Sequence, residues 1–249
     1  MRPLEFTRKA ASALLGLASR EGRVKNAARL LRYFLQSLPL EERTRWLEFA
    51  PLLPEELFAA TSRIYPSKTS LLQMLPKGGI VAEVGVYQGR FSRKIAEICE
   101  PNELHLIDMD LSPLEPFDFP ATLHEGDSVT ILDGFPAEHF DWLYIDADHS
   151  YAGVSRDLKA AHRVLKPGGY LMCNDYSNWC ADMAVPFGVA RAVNELILAE
   201  RYTVHGMGLH PAGLHDILIR KPLAGQAASG PAEASATGSR PSAGAAAAG

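Results

Sequence analysis

Between residues 78 and 222, short runs of β-branched, aromatic and aliphatic residues alternate with longer segments of helical periodicity. The runs at 79–86, 103–108, 121–127, 139–146 and 169–175 predict strands, and the segments at 89–99, 151–165 and 188–200 predict helices. Such alternation is typical of a mostly parallel sheet with helices on both faces. Ligands of these sheets bind at the carboxyl ends of the strands, so functional residues are expected at that edge.

The two ends of the chain differ from this central zone. Residues 1–75 carry apolar side chains every three or four positions, which predicts a helical N-terminal extension or lid. Residues 202–209 and 214–221 flank a turn-forming run and predict an antiparallel pair that closes a Rossmann-like, doubly wound α/β domain at 76–222. From residue 224 onward, 22 of 26 positions are Ala, Gly, Ser or Pro. Such a segment cannot offset its ordering entropy, so residues 223–249 are expected to be a disordered tail.

Composition limits the classes of partner. The net charge of −4 over 249 residues provides no broad basic field, which disfavours nucleic acid. No run approaches the roughly 18 apolar residues of a membrane span. The apolar run at 10–18 is short and interrupted, which favours an amphipathic helix over a signal peptide. Three cysteines without a CxxC pair cannot form a closed disulfide framework, so we expect a reducing, cytoplasmic location.

The segment EVGVYQG, residues 83–89, lies directly between the first predicted strand and its helix. Gly85 and Gly89 would let the backbone turn tightly and allow a ligand to approach closely. Their spacing is not that of the dinucleotide fingerprint G-x-G-x-x-G. Glu83 would repel a pyrophosphate and attract a cationic amino-acid group. The loop therefore predicts a site for a positively charged ligand, although an acid with two glycines also marks a plain tight turn.

Acidic residues also follow the second and third predicted strands. Asp108 ends the strand at 103–108, where a carboxylate can accept both hydroxyls of a ribose or serve as a helix cap. Asp127 and Ser128 follow the third strand in the segment EGDS. Either side chain can bond an adenine amino group, cap the next helix, or do both.

The segment YIDADHSY, residues 144–151, places Asp146, Asp148 and His149 at the end of the fourth strand, on the ligand-bearing edge. A neutral imidazole near pH 7 can take a proton from an alcohol, which makes His149 a candidate base. A structural role and a position beside a cofactor are equal alternatives for this histidine. Asp148 is expected to bond within the loop, and Ser150 to cap the following helix.

Taken in order, these features resemble the class I S-adenosylmethionine-dependent methyltransferases over about residues 65–222. The resemblance implies that the loop at 83–89 holds the methionine part of the cofactor, that Asp108 holds its ribose, and that residues 126–128 lie near its adenine. The implied cofactor-binding residues are Glu83, Gly85, Tyr87, Gly89, Asp108, Gly126, Asp127, Ser128 and Asp146.

The stretch YIDADHSYAGVSRDLKAAHRVLKPGGYLMCNDY, followed by GVARAVNEL, is similar to a bacterial branch of that family. The branch includes macrocin-type sugar O-methyltransferases and relatives of cephalosporin hydroxylase. In several of its members, and in catechol and caffeoyl-CoA O-methyltransferases, an acid matching Asp146 binds a divalent cation. Its partners there correspond to Asn174 and Asp175, and such oxygen ligands suit Mg²⁺. Asn174 replaces a carboxylate of that pattern, which predicts weaker Mg²⁺ binding or a metal-free site.

The expected function is transfer of the methyl group of S-adenosylmethionine to a hydroxyl of a small molecule, such as a sugar or a secondary metabolite. Asp146 and His149 are the catalytic candidates, and Mg²⁺ bound at Asp146, Asn174 and Asp175 would assist by lowering the pKa of the hydroxyl. A hydroxylase-like enzyme on the same scaffold and a non-catalytic S-adenosylmethionine-binding protein are the alternatives. The N-terminal helices would cover the site and offer a homodimer interface. The residues that select the methyl acceptor carry no transferable motif.

Overall fold

A computed structural model describes residues 50–180, 183 and 185–225, together with residues 29, 30, 33, 37 and 39. Most of the predicted N-terminal helices and the predicted tail from residue 226 onward therefore lie outside the described residues. None of the helices in the described part of the chain is long and apolar enough to cross a membrane.

Ten strands are present in the described residues: β1 (Phe58–Tyr65), β2 (Ile80–Val84), β3 (Glu103–Asp108), β4 (Thr122–Glu125), β5 (Phe140–Ile145), β6 (Leu165–Cys173), β7 (Trp179–Cys180), β8 (Val185–Pro186), β9 (Thr203–Gly208) and β10 (Asp216–Arg220). Eight of them form one sheet in the order β1-β9-β10-β6-β5-β2-β3-β4, and β7 pairs with β8 separately. Strand β10 is antiparallel to both of its neighbours, and the other pairs in the large sheet are parallel. The predicted Rossmann-like sheet with its closing antiparallel pair is confirmed.

The helices of the described core are α1 (Lys68–Leu71), α2 (Arg90–Cys99), α3 (Ser128–Asp133), α4 (Tyr151–Val164) and α5 (Val189–Glu200). Short 3-10 turns lie at Glu55–Leu57 and Leu72–Met74. Helices α2, α4 and α5 coincide with the three predicted helical segments to within one residue. The order of the strands reverses between β2 and β5, so a crevice opens between their carboxyl ends, and ligands of such sheets bind there.

Both faces of the central sheet are buried. On one face, Ala82 of β2 and Leu143 of β5 belong to a core with α4 and α5. On the other face, Val81 and Trp142 of the same strands pack with α2 and the turn at 72–74. Strands buried on both sides need nearly continuous apolar sequence, which explains the run WLYI in β5.

Residues 58–65 depart from the predicted helical extension. They form β1, which extends the sheet edge by pairing in parallel with β9. The helical prediction for this segment is wrong, because the unpaired edge of β9 offers backbone partners that the spacing of apolar residues does not reveal. The segment FAATSRIY also contains aromatic and β-branched residues, which are compatible with a strand.

Candidate functional site

A cavity of about 650 Å³ opens at the carboxyl edge of the sheet, where the strand order reverses. This volume lies in the range of small-molecule sites. The predicted cofactor-binding residues that line it are Glu83, Gly85, Tyr87, Asp108, Gly126, Asp127, Ser128 and Asp146. The remaining one, Gly89, adopts a left-handed conformation with φ of 73° at the start of α2.

Gly85 allows the ends of β2 and β5 to approach each other closely. Its φ is 91°, and a Cβ at this position would lie 1.9 Å from the carbonyl oxygen of Asp146. The Asp146 amide donates to the carbonyl of Val84 at 2.7 Å, which holds the two strand ends together. A side chain at residue 85 would therefore separate the two strands that form the floor of the crevice.

Asp108 holds the glycine-containing loop. Its Oδ2 accepts the backbone N–H groups of Val86 at 2.7 Å and Tyr87 at 2.9 Å, and its Oδ1 accepts that of Asp110 at 3.2 Å. A carboxylate has about four acceptor sites, so these bonds leave capacity for a ligand hydroxyl. The structure thus gives Asp108 a loop-fixing contact, and its contact with a ribose stays a prediction.

Glu83 lies beneath this loop and is 1% exposed. The hydroxyl of Ser92 donates to its Oε2. Burial, together with the neighbouring Asp146 and Asp108 carboxylates, raises the pKa of Glu83 to about 8 against the opposing effects of Ser92 and Lys68. Near pH 7 this carboxyl is mostly protonated, and a cationic ligand beside it would favour the charged form. The position of this carboxyl is compatible with the positively charged ligand that the sequence predicts for the loop, and its contact with a cofactor stays a prediction.

The segment at 126–128 forms the far wall of the cavity and begins α3. Asp127 caps this helix by accepting the N–H of Thr130 at 3.0 Å, and its other oxygen pairs with Arg156 at 2.9 Å. The hydroxyl of Ser128 donates to Asp157 at 2.5 Å, and burial raises the pKa of that carboxyl. The capping alternative for Asp127 is confirmed, and contact of this segment with an adenine stays a prediction.

Asp146 is the centre of a half-buried polar cluster next to the cavity. Its Oδ1 accepts from the Asn174 amide at 2.8 Å, and its Oδ2 accepts from the Tyr144 hydroxyl at 3.1 Å. Burial raises the pKa of Asp146, and the positive charge of Lys68 opposes this effect. The structure thus brings two of the three predicted metal ligands, Asp146 and Asn174, into direct contact.

His149 lies between two carboxylates. Its Nε2 is 3.6 Å from Asp146 and 3.5 Å from Asp175, and this buried nitrogen has no hydrogen-bond partner among the described residues. The ring stacks on Phe187 with 4.7 Å between centroids. Burial also raises the pKa of Asp175, which lies at a left-handed φ of 51°. The arrangement orients the imidazole beside the site, although neither His149 nor Asp175 is among the residues that line the 650 Å³ cavity.

The loop around His149 follows the expected local structure. Asp148 accepts the N–H and the hydroxyl of Ser150 at 2.8 and 2.9 Å. Ser150 in turn caps α4 by accepting the N–H of Gly153 at 3.1 Å. Both of these local predictions are confirmed.

Lys68 contacts the oxygens that a metal at this cluster would use. Its Nζ lies 3.2 Å from Asn174 Oδ1 and 3.8 Å from Asp146 Oδ2. It also donates to the hydroxyl of Tyr144 at 2.9 Å. An ammonium and a divalent cation repel each other at such distances. In this arrangement the residues predicted to bind Mg²⁺ do not fit the ion, because the ammonium of Lys68 already lies against oxygens of Asn174 and Asp146.

Asp216 and Tyr144 extend this cluster and were missed as site residues. The buried hydroxyl of Tyr144 lies 3.3 Å from Asp216 Oδ1, so Asp216 and Asp146 are alternative acceptors for its one hydrogen. Burial raises the pKa of Asp216 to about 7. Tyr144 is indistinguishable from a core residue in its apolar strand. For Asp216, the available signal was an acid directly before the apolar run ILI in the segment DILIR.

The part of the chain that contains these site residues is similar to a known family of methyltransferase domains. Residues 82–176 match a family described as "Methyltransferase domain", which is less than half of the chain. The matched segment runs from β2 to just beyond β6 and so carries Glu83, Asp108 and Asp146. It supports a class I S-adenosylmethionine-dependent methyltransferase, without selecting a branch or a substrate. No curated protein matches the sequence.

Three solved structures illustrate the likeness in fold. A SAM-dependent methyltransferase of Methanosarcina mazei is 15% identical, with a TM-score of 0.46 over 62% of this chain and 97% of that chain. The O-methyltransferase TomG of Streptomyces achromogenes, in complex with SAM, is 15% identical, with a TM-score of 0.46 over 62% of this chain and 79% of that chain. Spermidine synthase of Thermotoga maritima is 15% identical, with a TM-score of 0.45 over 63% of this chain and 57% of that chain. Likenesses this distant do not choose between activities.

Proposed function

We propose that this protein transfers the methyl group of S-adenosylmethionine to a hydroxyl oxygen of a small molecule. The observation that carries the proposal is the buried Glu83 carboxyl beneath the glycine-containing loop, in a cavity whose charged lining residues are mostly acids. The acidic lining residues are Glu83, Asp108, Asp127, Asp146, Asp148 and Asp157, and the basic ones are Lys68, Arg90 and Arg156. A net negative cavity favours a cationic donor over an anionic dinucleotide.

When bound, S-adenosylmethionine supplies an electrophilic methyl group on a sulfonium. The residues of this chain would bind the donor, align an acceptor hydroxyl and remove its proton. Glu83 would hold the amino-acid end, and Asp108 the ribose. His149 Nε2 would take the proton, and it lies 3.6 and 3.5 Å from the carboxyl groups of Asp146 and Asp175.

Lys68 is proposed to stabilise the acceptor oxygen as it loses its proton. The ammonium lies beside Asp146 and Asn174 in the half-buried cluster, where a fixed positive charge acts more strongly than in bulk water. Mg²⁺ at Asp146, Asn174 and Asp175 stays a prediction, and the contacts of Lys68 argue against it. If Lys68 supplies the positive charge, methyl transfer should continue when a chelator is added, whereas an enzyme that depends on Mg²⁺ should lose activity.

Calorimetry followed by an activity assay tests the proposal. We expect S-adenosylhomocysteine to bind one site per chain and NAD to produce no heat. Transfer of a labelled methyl group to a panel of alcohols, phenols and sugars should continue in the presence of a chelator. Binding without transfer to any of these acceptors would favour the non-catalytic alternative, and absence of binding would end the proposal.

Two matched variants test whether the ammonium of Lys68 itself promotes methyl transfer or whether loss of any positive charge lowers activity. They are Lys68→Met and the control Lys94→Met. Lys94 is exposed on α2 and pairs with Glu97 at 2.8 Å. Lys68→Met should lower the turnover number by about 10-fold or more, which corresponds to about 1.4 kcal/mol or more of transition-state stabilisation. The affinity for S-adenosylhomocysteine should change little, and Lys94→Met should behave as wild type. Loss of activity with a chelator and its recovery with Mg²⁺ would show instead that a metal supplies the charge.

A further inference from the structure

A second group of potential ligands lies at the opposite, amino-terminal end of the sheet. Glu103 and His105 occupy alternate positions of β3, so their side chains lie on one face, and His139 directly precedes β5. One ligand atom from each of these three residues lies within 4.8 Å of the other two. Among the described residues, these three are the group of His, Cys, Asp or Glu side chains whose ligand atoms are close enough to share one metal ion.

One nitrogen of His105 is buried without a hydrogen-bond partner in the described part of the chain. The residue is 8% exposed, and its Nε2 is the unpaired atom. This nitrogen faces Glu103, with 3.7 Å between Nε2 and Oε2. A buried polar atom without a partner is costly, so a ligand for this nitrogen would offset a real penalty.

The other nitrogen of His105 has a partner that determines what Nε2 can do. His105 Nδ1 and His124 Nε2 lie 3.0 Å apart, so one ring donates a hydrogen bond to the other. If His105 donates, its Nε2 presents a lone pair toward the Glu103 carboxylate. Two acceptors then face each other, and a cation between them would turn this repulsion into attraction. A metal-binding histidine commonly donates its second N–H to such an outer partner.

We propose that Glu103, His105 and His139 form a binding site for a late first-row divalent cation such as Zn²⁺. Two imidazole nitrogens and one carboxylate oxygen are ligands that this class of ion prefers over Mg²⁺. Ligand atoms around tetrahedral Zn²⁺ lie roughly 3.3 Å apart. The 3.7 Å between His105 Nε2 and Glu103 Oε2 needs only a small side-chain rotation, and the separations to His139, which are within 4.8 Å, must also shorten by rotation of its side chain. A fourth position would be open to water.

The surroundings of the cluster are suited to holding its rings in place. Phe135 lies edge-on to His105 at 5.1 Å and stacks on His139 at 5.3 Å, and Phe140 lies edge-on to both histidines. His124 on β4 contacts the other nitrogen of His105 and so also helps to hold this ring. The ion would therefore link β3 to the connection between α3 and β5. None of these residues lines the 650 Å³ cavity, so the site is separate from the proposed cofactor site.

Zn²⁺ titration of the untagged, chelator-treated full-length protein tests this site. A cation that binds only the folded state raises the melting temperature, and we expect a shift of about 5 °C at saturating Zn²⁺ and little change with Mg²⁺. Co²⁺ should give visible absorption of a site with nitrogen and oxygen ligands and no thiolate band, since Cys99, Cys173 and Cys180 are buried elsewhere.

Variants at the three ligands carry the decisive comparison. His139→Ala and Glu103→Gln alter partly or fully exposed side chains, and each should reduce the Zn²⁺-dependent shift to below about 1 °C. His124→Gln should weaken Zn²⁺ binding by about 10- to 100-fold, because it removes the outer partner of His105. His205→Gln, on the distant strand β9, and Asp175→Asn, at the proposed cofactor site, should retain the full shift.

Two results would overturn the proposal. The first is the absence of any calorimetric or thermal response of the wild-type protein to Zn²⁺, Co²⁺ and Ni²⁺. The second is a response that persists in both His139→Ala and Glu103→Gln. His105→Gln, if it folds, should also lose the Zn²⁺-dependent shift. The variants His139→Ala and Glu103→Gln decide between the outcomes without it.

Discussion

At the scale of single residues, Glu83 best shows how burial creates a binding site. Its carboxyl is enclosed by the sheet, the loop and α2, so the charged form loses the solvation that water would provide. The same acid on an exposed helix would be an ordinary surface charge. The cost is offset by the hydrogen bond from Ser92 and, in the proposed function, by a cationic ligand.

This burial makes stability depend on pH. The pKa of Glu83 rises from 4.5 in the unfolded chain to about 8 in the folded one, so the folded state binds more protons between these values. The free energy of unfolding of the ligand-free protein should therefore fall as the pH rises from about 4.5 to 8. Glu83→Gln should flatten this dependence in thermal unfolding scans. Glu97→Gln, on the exposed face of the same helix that carries Ser92, should leave it intact.

The Glu83→Gln substitution should also weaken binding of the donor. The amide introduced by this substitution can still accept from Ser92 but carries no charge, so affinity for S-adenosylhomocysteine should fall by about 10- to 100-fold. Calorimetry of the wild-type protein at pH 7 in buffers of different ionisation enthalpy should show proton release, because the ligand's cation lowers the pKa of Glu83. Equal affinity of Glu83→Gln and the wild type would contradict the role given to this carboxyl.

At the scale of elements, α1 shows how contact with a strand of the sheet positions a functional side chain. Gly208 ends β9, and a Cβ there would lie 2.9 Å from the backbone of Lys68. The glycine thus lets α1 lie directly against β9. This close approach carries the Lys68 ammonium to Tyr144 and Asn174.

Gly208→Val should displace α1 and separate Lys68 from these partners. We expect a loss of turnover at least as large as that of Lys68→Met, together with retained binding of S-adenosylhomocysteine. Thr203→Val, at the other end of the same strand, is the control for a general effect on β9. Wild-type turnover in Gly208→Val would show that the contact between β9 and α1 does not position the lysine. Methyl transfer under single-turnover conditions measures the effect.

Elements with strong local signals were predicted well, and those that depend on distant partners were not. Helix α4 begins at the expected serine cap and β3 spans the expected residues, because capping and an apolar run are encoded locally. Strand β1 was predicted as a helix because its partner, β9, lies about 140 residues away in sequence. Residues 166–168, which separate the predicted helix at 151–165 from the predicted strand at 169–175, lie within β6.

At the scale of the whole molecule, stability depends on a sheet that is covered on both faces. Leu143 lies on the central strand β5 and is fully buried, whereas Leu52 is 93% exposed. Leu143→Ala should lower the free energy of unfolding by about 2–5 kcal/mol, since it leaves a cavity in the core beneath α4 and α5. Leu52→Ala should change it by less than about 0.5 kcal/mol. Urea denaturation monitored by circular dichroism compares the two variants, and equal midpoints would contradict the assignment of the core.

The sequence by itself determined the parallel sheet, its closing antiparallel pair and the edge at which acids gather, because these follow from local periodicity, turn residues and chain order. It also indicated the glycine-containing loop, since the spacing of Gly85 and Gly89 and the charge of Glu83 are properties of the sequence itself. Only the tertiary structure placed Lys68 against Asn174, joined Asp216 to Tyr144, and brought His139 close to His105. These contacts join strand ends and loops that are distant along the chain, and their distances depend on how the strands are ordered and packed.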